Sequence, residues 1–271
     1  RSMDCIQKAV IMVMDGCRPD ALKQAHTPNI DSLWEKGSYS WKTQTVYPSV
    51  SLPPHCSLFW GVSPEIHGVK SNEWPEDYRY KVPTLFDLGK EKGLKTAMVH
   101  GWNPFNPIAK QGSVDILDMS PRYLSDDLET ARSCVRIIER DNPDFAFYHF
   151  NKIDHAGGEH GWMSQEQIKA VADCDKAIGL VIDALKRTGN FDRTMIIVLA
   201  DHGGHDNTHG SRDLRDMTIP WICFGPGIRR GHEIEESVFI YDTAATVAYG
   251  LGMEIPSSWE GKPVREIFLE R

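Results

Sequence analysis

Met195-Ile196-Ile197-Val198-Leu199-Ala200-Asp201-His202-Gly203-Gly204 is the stretch that decides the fold. An apolar run of strand length ends on an aspartate and a histidine side by side. Two such groups at the end of a buried strand are costly to leave unpaired, so they read first as half of a metal site. Ala9-Val10-Ile11-Met12-Val13-Met14 ends the same way, on Asp15 and Gly16. In open α/β sheets ligands bind outside the carboxyl ends of the strands, where both carboxylates stand. Working outward, apolar runs at 94–99, 144–150 and 219–224 join 8–14 and 194–200 as predicted strands. Amphipathic stretches alternate with them, the pattern of a mainly parallel central sheet with helices on both faces.

Helix starts punctuate the same pattern. Thr27-Pro28-Asn29 opens a helix to about Lys36, Pro83-Thr84 one to about Lys92, and Ser125 one to about Arg140. Ser164-Gln165-Glu166-Gln167 has the spacing of a capping box, opening a long helix to about Lys186. Ile168, Val171, Ile178, Val181, Ile182 and Leu185 keep helical spacing along it, so that face is core. Asn, Pro and Gly in 101–123 mark a long loop placed to cover a site. With no repeat or linker-like shift of composition, 3–271 reads as one α/β domain, Arg1-Ser2 ahead of Met3 being a cloning remnant.

The chain has 271 residues and a formal charge of -8, which disfavours a nucleic-acid polymer as partner, because that needs clustered Lys and Arg. No apolar run is long enough for a membrane span, and no leader peptide is visible. Six cysteines, at 5, 17, 56, 134, 174 and 223, form no CxxC pair. That favours a reducing compartment, hence a cytoplasmic location.

Asp15, Asp201 and His202 make an O/O/N donor set that suits Zn²⁺ or Mn²⁺. The run 144–150 leads to Asp154, His155, Glu159 and His160, and the segment after His202 adds His205 and His209, enough ligands for a second metal. A lone Asp at a strand end is more often a helix cap, but several strand-end segments each delivering Asp or His favour the metal reading. Tyr47-Pro48-Ser49-Val50-Ser51-Leu52-Pro53-Pro54-His55 sets hydroxyls between a strand and an apolar helix start. Free backbone N–H groups there welcome an oxyanion, although Ser49 or Ser51 can equally be only a helix cap. Trp74, Trp102 and Tyr123 can stack a nucleobase, yet aromatic residues in loops more often pack against the domain surface. His67 is expected to make a structural hydrogen bond, and Trp162 and Met163 to cover the start of the long helix.

These residues together resemble the alkaline phosphatase superfamily, and within it the nucleotide pyrophosphatase/phosphodiesterase branch. The resemblance runs from Asp15-Gly16 through Pro48 to His55, Gly61, Pro64-Glu65-Ile66-His67-Gly68, Asp154, Asp201-His202-Gly203 and His209-Gly210 to Gly225-Pro226-Gly227 and Gly261 to Glu266. It implies a three-layer sandwich like that of alkaline phosphatase, with Ser51 as nucleophile. It also implies two zinc ions, one held by Asp15, Asp201, His202 and the Ser51 oxygen, the other by Asp154 and His209. Asn72, 21 residues after Ser51, would bond a phosphoryl oxygen together with the backbone N–H after Ser51. The family pattern Asp-x-x-Gly-His is broken, since Gly158 stands at the histidine position. His160 is the expected substitute, ahead of His155; otherwise the second ion rests on Asp154, His209 and water.

The activity so implied is hydrolysis of phosphodiesters or nucleotide pyrophosphates through phospho-Ser51, with a small phosphorylated substrate. The alternatives are a phosphomonoesterase or phosphonate hydrolase of the same superfamily, or a catalytically impaired phospho-ligand-binding member. A sulfatase is disfavoured because His55 stands four residues after Ser51, where that reading wants Arg, and a phosphomutase because the chain lacks room for its extra domain.

Overall fold

In the computed structural model, which describes residues 6–269, the strand that delivers Asp15 lies inside the sheet, with four strands on one side of it and three on the other. Arg1-Ser2, Met3 and Cys5 lie outside the described residues. The strands are β1 (Lys8–Met14), β2 (Ser38–Gln44), β3 (Thr96–His100), β4 (Ile116–Met119), β5 (Phe145–Phe150), β6 (Thr194–Leu199), β7 (Thr218–Phe224) and β8 (His232–Glu233). They form one eight-stranded sheet in the order β4-β3-β5-β1-β6-β7-β2-β8. β1 pairs in parallel with β5 and β6, β3 with β4 and β5, and β2 with β8; β7 alone runs antiparallel to its neighbours. β1, β5 and β6 are buried at every residue, which matches their near-continuous apolar sequence: a parallel strand covered on both faces has no solvent side.

The helices are α1 (Pro19–Gln24), α2 (Pro28–Glu35), α3 (Leu52–Trp60), α4 (Pro64–His67), α5 (Leu85–Glu91), α6 (Asp127–Asp141), α7 (Lys152–His160), α8 (Gln165–Arg187), α9 (Leu214–Met217) and α10 (Asp242–Gly250). α1, α2, α6 and α7 pack on α8 as one layer, while α3, α4, α5 and α10 make the opposite one, the helix–sheet–helix sandwich the sequence led us to expect. Among the described residues, no helix is long and apolar enough to cross a membrane. Cys17, Cys56, Cys134, Cys174 and Cys223 are buried free thiols.

Three local departures bear on the site. The residues after β5 are a helix, α7, so Asp154 and position 158 lie one turn apart on a shared face. Ser164 caps α8 by accepting from Gln167 N at 3.2 Å, but the reciprocal half of the capping box is absent. The buried Gln167 amide instead accepts from Met163 N at 2.7 Å and donates to the Ile153 carbonyl at 3.2 Å, tying α8 to α7. The loop 101–123 is broken up by β4 and by 3-10 turns at Asn103–Ile108 and Pro121–Leu124.

Candidate active site

The C-terminal ends of β1, β5 and β6 bring Asp15, Asp154, Asp201 and His202 together with His209 from the following loop. The donor atoms of Asp15, Asp201 and His202 lie within 4.8 Å of one another, as do those of Asp154, His202 and His209. His202 thus joins the two clusters: its Nε2 is 3.2 Å from Asp15 Oδ1, 3.5 Å from Asp201 Oδ2 and 3.7 Å from Asp154 Oδ1. Gly16 makes the approach possible. With φ at +76° it turns the chain directly after the ligand, and a Cβ there would sit 3.1 Å from Asp154. Its N–H donates to Asp201 Oδ1 at 3.1 Å, its carbonyl accepts from Trp162 Nε1 at 2.8 Å, and Trp162 thereby does more than cover the start of α8.

Hydrogen bonds fix the imidazole tautomers. His202 Nδ1 donates to the Gly203 carbonyl at 2.6 Å and His209 Nδ1 to the Ser49 carbonyl at 2.9 Å, leaving each Nε2 turned to the carboxylates. The two rings stack with centroids 3.8 Å apart. Asp15 Oδ1, Asp154 Oδ1, Asp201 Oδ2 and His202 Nε2 are buried without a hydrogen-bond partner. Three orphaned carboxylate oxygens and an imidazole nitrogen facing one another are what a divalent cation satisfies and water-free protein does not, so this donor set fits such an ion.

The electrostatics agree. Among the described residues, the ion pairs of Asp15, Asp154 and Asp201 are with histidines only. Burial and the neighbouring Asp15 charge push Asp154 and Asp201 up. Burial pushes Asp15 up, but the hydrogen bond from His149 and the adjacent His202 imidazole outweigh it and hold Asp15 well below its ordinary value. Burial alone would lower His202, but the charges of Asp201, Asp15 and Asp154 raise it to about 10. Three carboxylates without a Lys or Arg partner demand positive charge from elsewhere.

Ser51 lines the same cleft as Asp15, Asn72, Asp154 and His209. It occupies the N-cap position of α3, yet its hydroxyl makes no capping bond. The capping is done by Asn72, whose Oδ1 accepts from Ser51 N at 3.2 Å and Leu52 N at 2.9 Å. This corrects one expectation and leaves the other standing. The N–H after Ser51 is taken by Asn72 rather than open to a ligand, and the Asn72 Nδ2 group remains as the donor on that side. Ser49 is structural, its hydroxyl donating to the Ser211 carbonyl at 2.7 Å.

His160 does not join either cluster. Its side chain is 41% exposed and its Nε2 lies 3.8 Å from Glu159, while His155 Nε2 lies 3.2 Å from the same carboxylate. The cause is helical geometry: position 158 shares the face of Asp154, whereas 155 and 160 project elsewhere around α7. At Gly158 itself a Cβ would meet nothing within 4 Å, so the place of the missing histidine is open space.

Sequence reasoning missed His149 and His55. His149 Nε2 donates to Asp15 Oδ2 at 2.8 Å, and His55 Nδ1 to the Ser51 carbonyl at 2.7 Å. The donor atoms of Asp15, His55 and His149 also lie within 4.8 Å of one another. A histidine inside the buried run Phe145–Phe150 was the signal for His149, since a polar ring in a doubly covered strand needs a partner. His67 is structural as expected, accepting from Val69 N and bonded through Nε2 to the Ser57 hydroxyl, both at 3.0 Å.

Comparison with known proteins matches this geometry to a family. The chain is 28% identical over 267 residues to mouse ectonucleotide pyrophosphatase/phosphodiesterase family member 3, covering 88% of this chain and 30% of that protein. It is 28% identical over 224 residues to an uncharacterized pyrophosphatase/phosphodiesterase of Schizosaccharomyces pombe, covering 73% of this chain and 45% of that one. The chain therefore spans less than half the length of these relatives. Among solved structures, an inactive variant of murine ectonucleotide pyrophosphatase/phosphodiesterase 5 in complex with AMP superposes with a TM-score of 0.83 at 14% identity, over 97% of this chain and all of that one. A phosphonate monoester hydrolase from Silicibacter pomeroyi superposes with a TM-score of 0.75 at 15% identity, over 97% of this chain and 76% of that one, so the fold is shared more widely than the sequence. The family model for type I phosphodiesterase / nucleotide pyrophosphatase matches residues 9–218, and the chain belongs to that family.

Proposed function

We propose that this chain hydrolyses phosphodiesters or nucleotide pyrophosphates with Ser51 as nucleophile. One observation carries the reading: an uncapped serine hydroxyl at a helix N-terminus shares a cleft with two clusters of orphaned Asp and His donors. Asp15, Asp201, His202 and the Ser51 oxygen would hold one zinc ion, and Asp154 and His209 the other. Such ions would supply Lewis-acid polarisation of the phosphoryl group and depress the pKa of the Ser51 hydroxyl. Ser51 Oγ displaces one ester oxygen in line at phosphorus, giving phospho-Ser51 and the released alcohol or nucleotide. Water then cleaves phospho-Ser51 and restores the hydroxyl. Asn72 Nδ2 holds a non-bridging oxygen while charge develops on it, its own oxygen being anchored by the α3 N-terminus.

The relatives' names favour diesters and pyrophosphates, and the absence of Lys or Arg from the described cleft lining gives a doubly charged monoester no cationic side chain to meet. A second reading, a member impaired in turnover, is favoured by Gly158 alone. The test is turnover of bis(p-nitrophenyl) phosphate and p-nitrophenyl phosphate by zinc-loaded protein and by Ser51→Ala. Diester turnover that vanishes in Ser51→Ala, while Asp15, Asp201 and His202 still retain zinc in that variant, supports the proposal. Zinc-loaded protein that binds the metal yet releases no nitrophenol from either ester supports the impaired reading.

A further inference from the structure

Trp162 is 8% exposed, yet it stands outside the contiguous apolar core. It lies two residues beyond the end of α7, where Gly161, with φ at +101°, turns the chain, and its backbone N–H donates to the Asp206 carbonyl at 2.7 Å. The indole then touches all three segments that carry donors. Nε1–H donates to the carbonyl of Gly16, the residue after Asp15. On α7 the ring meets Gly157, three residues after Asp154, where a Cβ would stand 2.8 Å from both Cδ2 and Cε2. On the loop after β6, a Cβ at Gly204, two residues after His202, would overlap the same ring. The indole also packs against the His209 imidazole, with centroids 5.6 Å apart.

We infer that Trp162 is a positioning residue: wedged between α7 and the loop after β6, its indole sets Asp154 against His209 and so fixes the geometry of the outer donor cluster. The inference rests on the reading of the two clusters as zinc sites. His209 Nδ1 is tethered to the Ser49 carbonyl by one hydrogen bond, about which an imidazole can still tilt, and the neighbouring rings of His202 and Trp162 limit that tilt. Asp154 stands where α7 places it. The Asn207 amide, donating to the Gly158 carbonyl at 3.2 Å, draws the loop and α7 together, and the indole at Gly157 and Gly204 fixes how close they come. His209 Nε2 and Asp154 Oδ1 thereby stand 3.5 Å apart. A side chain at 157 or 204 would take the indole's room, so the ring is built into the backbone rather than laid on it. The inner cluster has its own supports, Gly16 N on Asp201 and His149 on Asp15, and depends on Trp162 only through the Gly16 carbonyl.

The test is zinc competition with a chromophoric chelator, resolving two affinities, on wild type, Trp162→Phe, Trp162→Leu, Gly204→Ala and the double variant Gly204→Ala/Trp162→Leu. In Trp162→Leu the outer affinity should fall about tenfold while the inner one holds. Trp162→Phe keeps a ring beside His209 and should recover part of the loss. Gly204→Ala leaves Trp162 in the sequence but takes its room, and should reproduce the outer loss. In the Trp162→Leu background the added methyl meets no indole and should cost nothing further, so the two substitutions are non-additive. Urea unfolding of the metal-free proteins reports separately on the scaffold. Lower stability with both affinities unchanged, equal losses at the two clusters, or additive losses overturns the inference. If Trp162→Leu does not fold, the ratio of outer to inner affinity in Trp162→Phe and Gly204→Ala decides alone. Wild type that takes up fewer than two zinc ions rejects the two-zinc reading and the inference with it, whereas two ions bound regardless of Trp162 reject the positioning role alone.

Discussion

The two donor clusters that share His202 are built to different standards. In the inner one, Asp15, Asp201 and His202 are at most 1% exposed, and each carboxylate is held by groups that do not themselves face the centre. Gly16 N and His202 N donate to Asp201 Oδ1 at 3.1 and 2.9 Å, and His149 donates to Asp15 Oδ2. In the outer cluster the side chains of Asp154 and His209 are 25% and 20% exposed, and Gly158 leaves open space one helical turn beyond Asp154. Enclosure and second-layer hydrogen bonds are what pre-organise a metal site. The inner cluster has both, and the outer one has a partly open wall and a glycine where a further donor would stand. The clusters should therefore separate in affinity, the inner ion staying through dialysis and the outer one leaving.

The largest effect should come from breaking the inner cluster. Asp201→Asn removes a charge that burial and Asp15 already strain, and leaves an amide that donates where an acceptor is needed. Loss of both tightly held zinc and turnover is expected, the latter on the order of 10³-fold or more. Zinc content by elemental analysis beside diester turnover checks it. If Asp201→Asn keeps its tight zinc, the inner cluster is not the stronger of the two.

The asymmetry between the clusters was half visible in the sequence. Strand-end residues Asp15, Asp201 and His202 were legible because apolar runs fix the strands, and a strand's carboxyl end is where an open α/β sheet presents its ligands. β2, β4 and β8 were not delimited, since Ser38–Gln44 alternates polar residues and the other two are short. Helix α7 was missed because two glycines and two histidines in nine residues hide a helix that packing against α8 stabilises. That omission is why His160 passed for a ligand: only the helical turn shows that 158 faces the site and 160 does not. His149 was hidden for another reason, as its partner Asp15 lies 134 residues away, a distance no local pattern spans.

Acid should separate the scaffold from both clusters. His67 is buried and neutral, accepting from Val69 N through Nδ1, and burial lowers it from 6.5 to about 4. Its folded pKa lies below its unfolded one, so the unfolded chain takes the proton first. Stability is full above pH 6.5 and falls as pH drops towards 4, by up to about 3 kcal/mol for this one residue. His100, lowered to about 4 chiefly by burial, adds to the loss in the same window. Urea unfolding of chelator-treated protein between pH 7 and 4 should show this slope, shallower in His67→Gln. An unchanged slope in that variant would assign the acid loss to the donor clusters instead.

Gly158→His is the direct way to narrow the difference between clusters. Nothing lies within 4 Å of a Cβ at 158, and the position is one helical turn beyond Asp154, so an imidazole can be added without displacing a neighbour. Affinity for the outer zinc should rise roughly ten- to a hundredfold, with the inner site unaltered. Competition with a chromophoric chelator resolves the two affinities. Gain at the inner site, or at neither, would mean that α7 does not carry the outer cluster's missing donor.

His149 offers the smallest and most selective perturbation, because it reaches the centre only through Asp15. Its Nε2–H bond to Asp15 Oδ2 fixes the carboxylate so that Oδ1 faces His202, and the ring itself is 1% exposed in the wall of the cleft. Removing the donor with a side chain of similar bulk, His149→Leu, frees the carboxylate to rotate and leaves one oxygen buried without a partner. Inner zinc affinity should fall about tenfold, the lower end of what such supporting bonds contribute, while outer affinity stays put. His149→Gln can still donate and should recover most of the loss. A purely structural role would lower the unfolding midpoint of both variants and leave the ratio of inner to outer affinity untouched. A shift in that ratio, present in His149→Leu and absent in His149→Gln, assigns His149 to the positioning of Asp15.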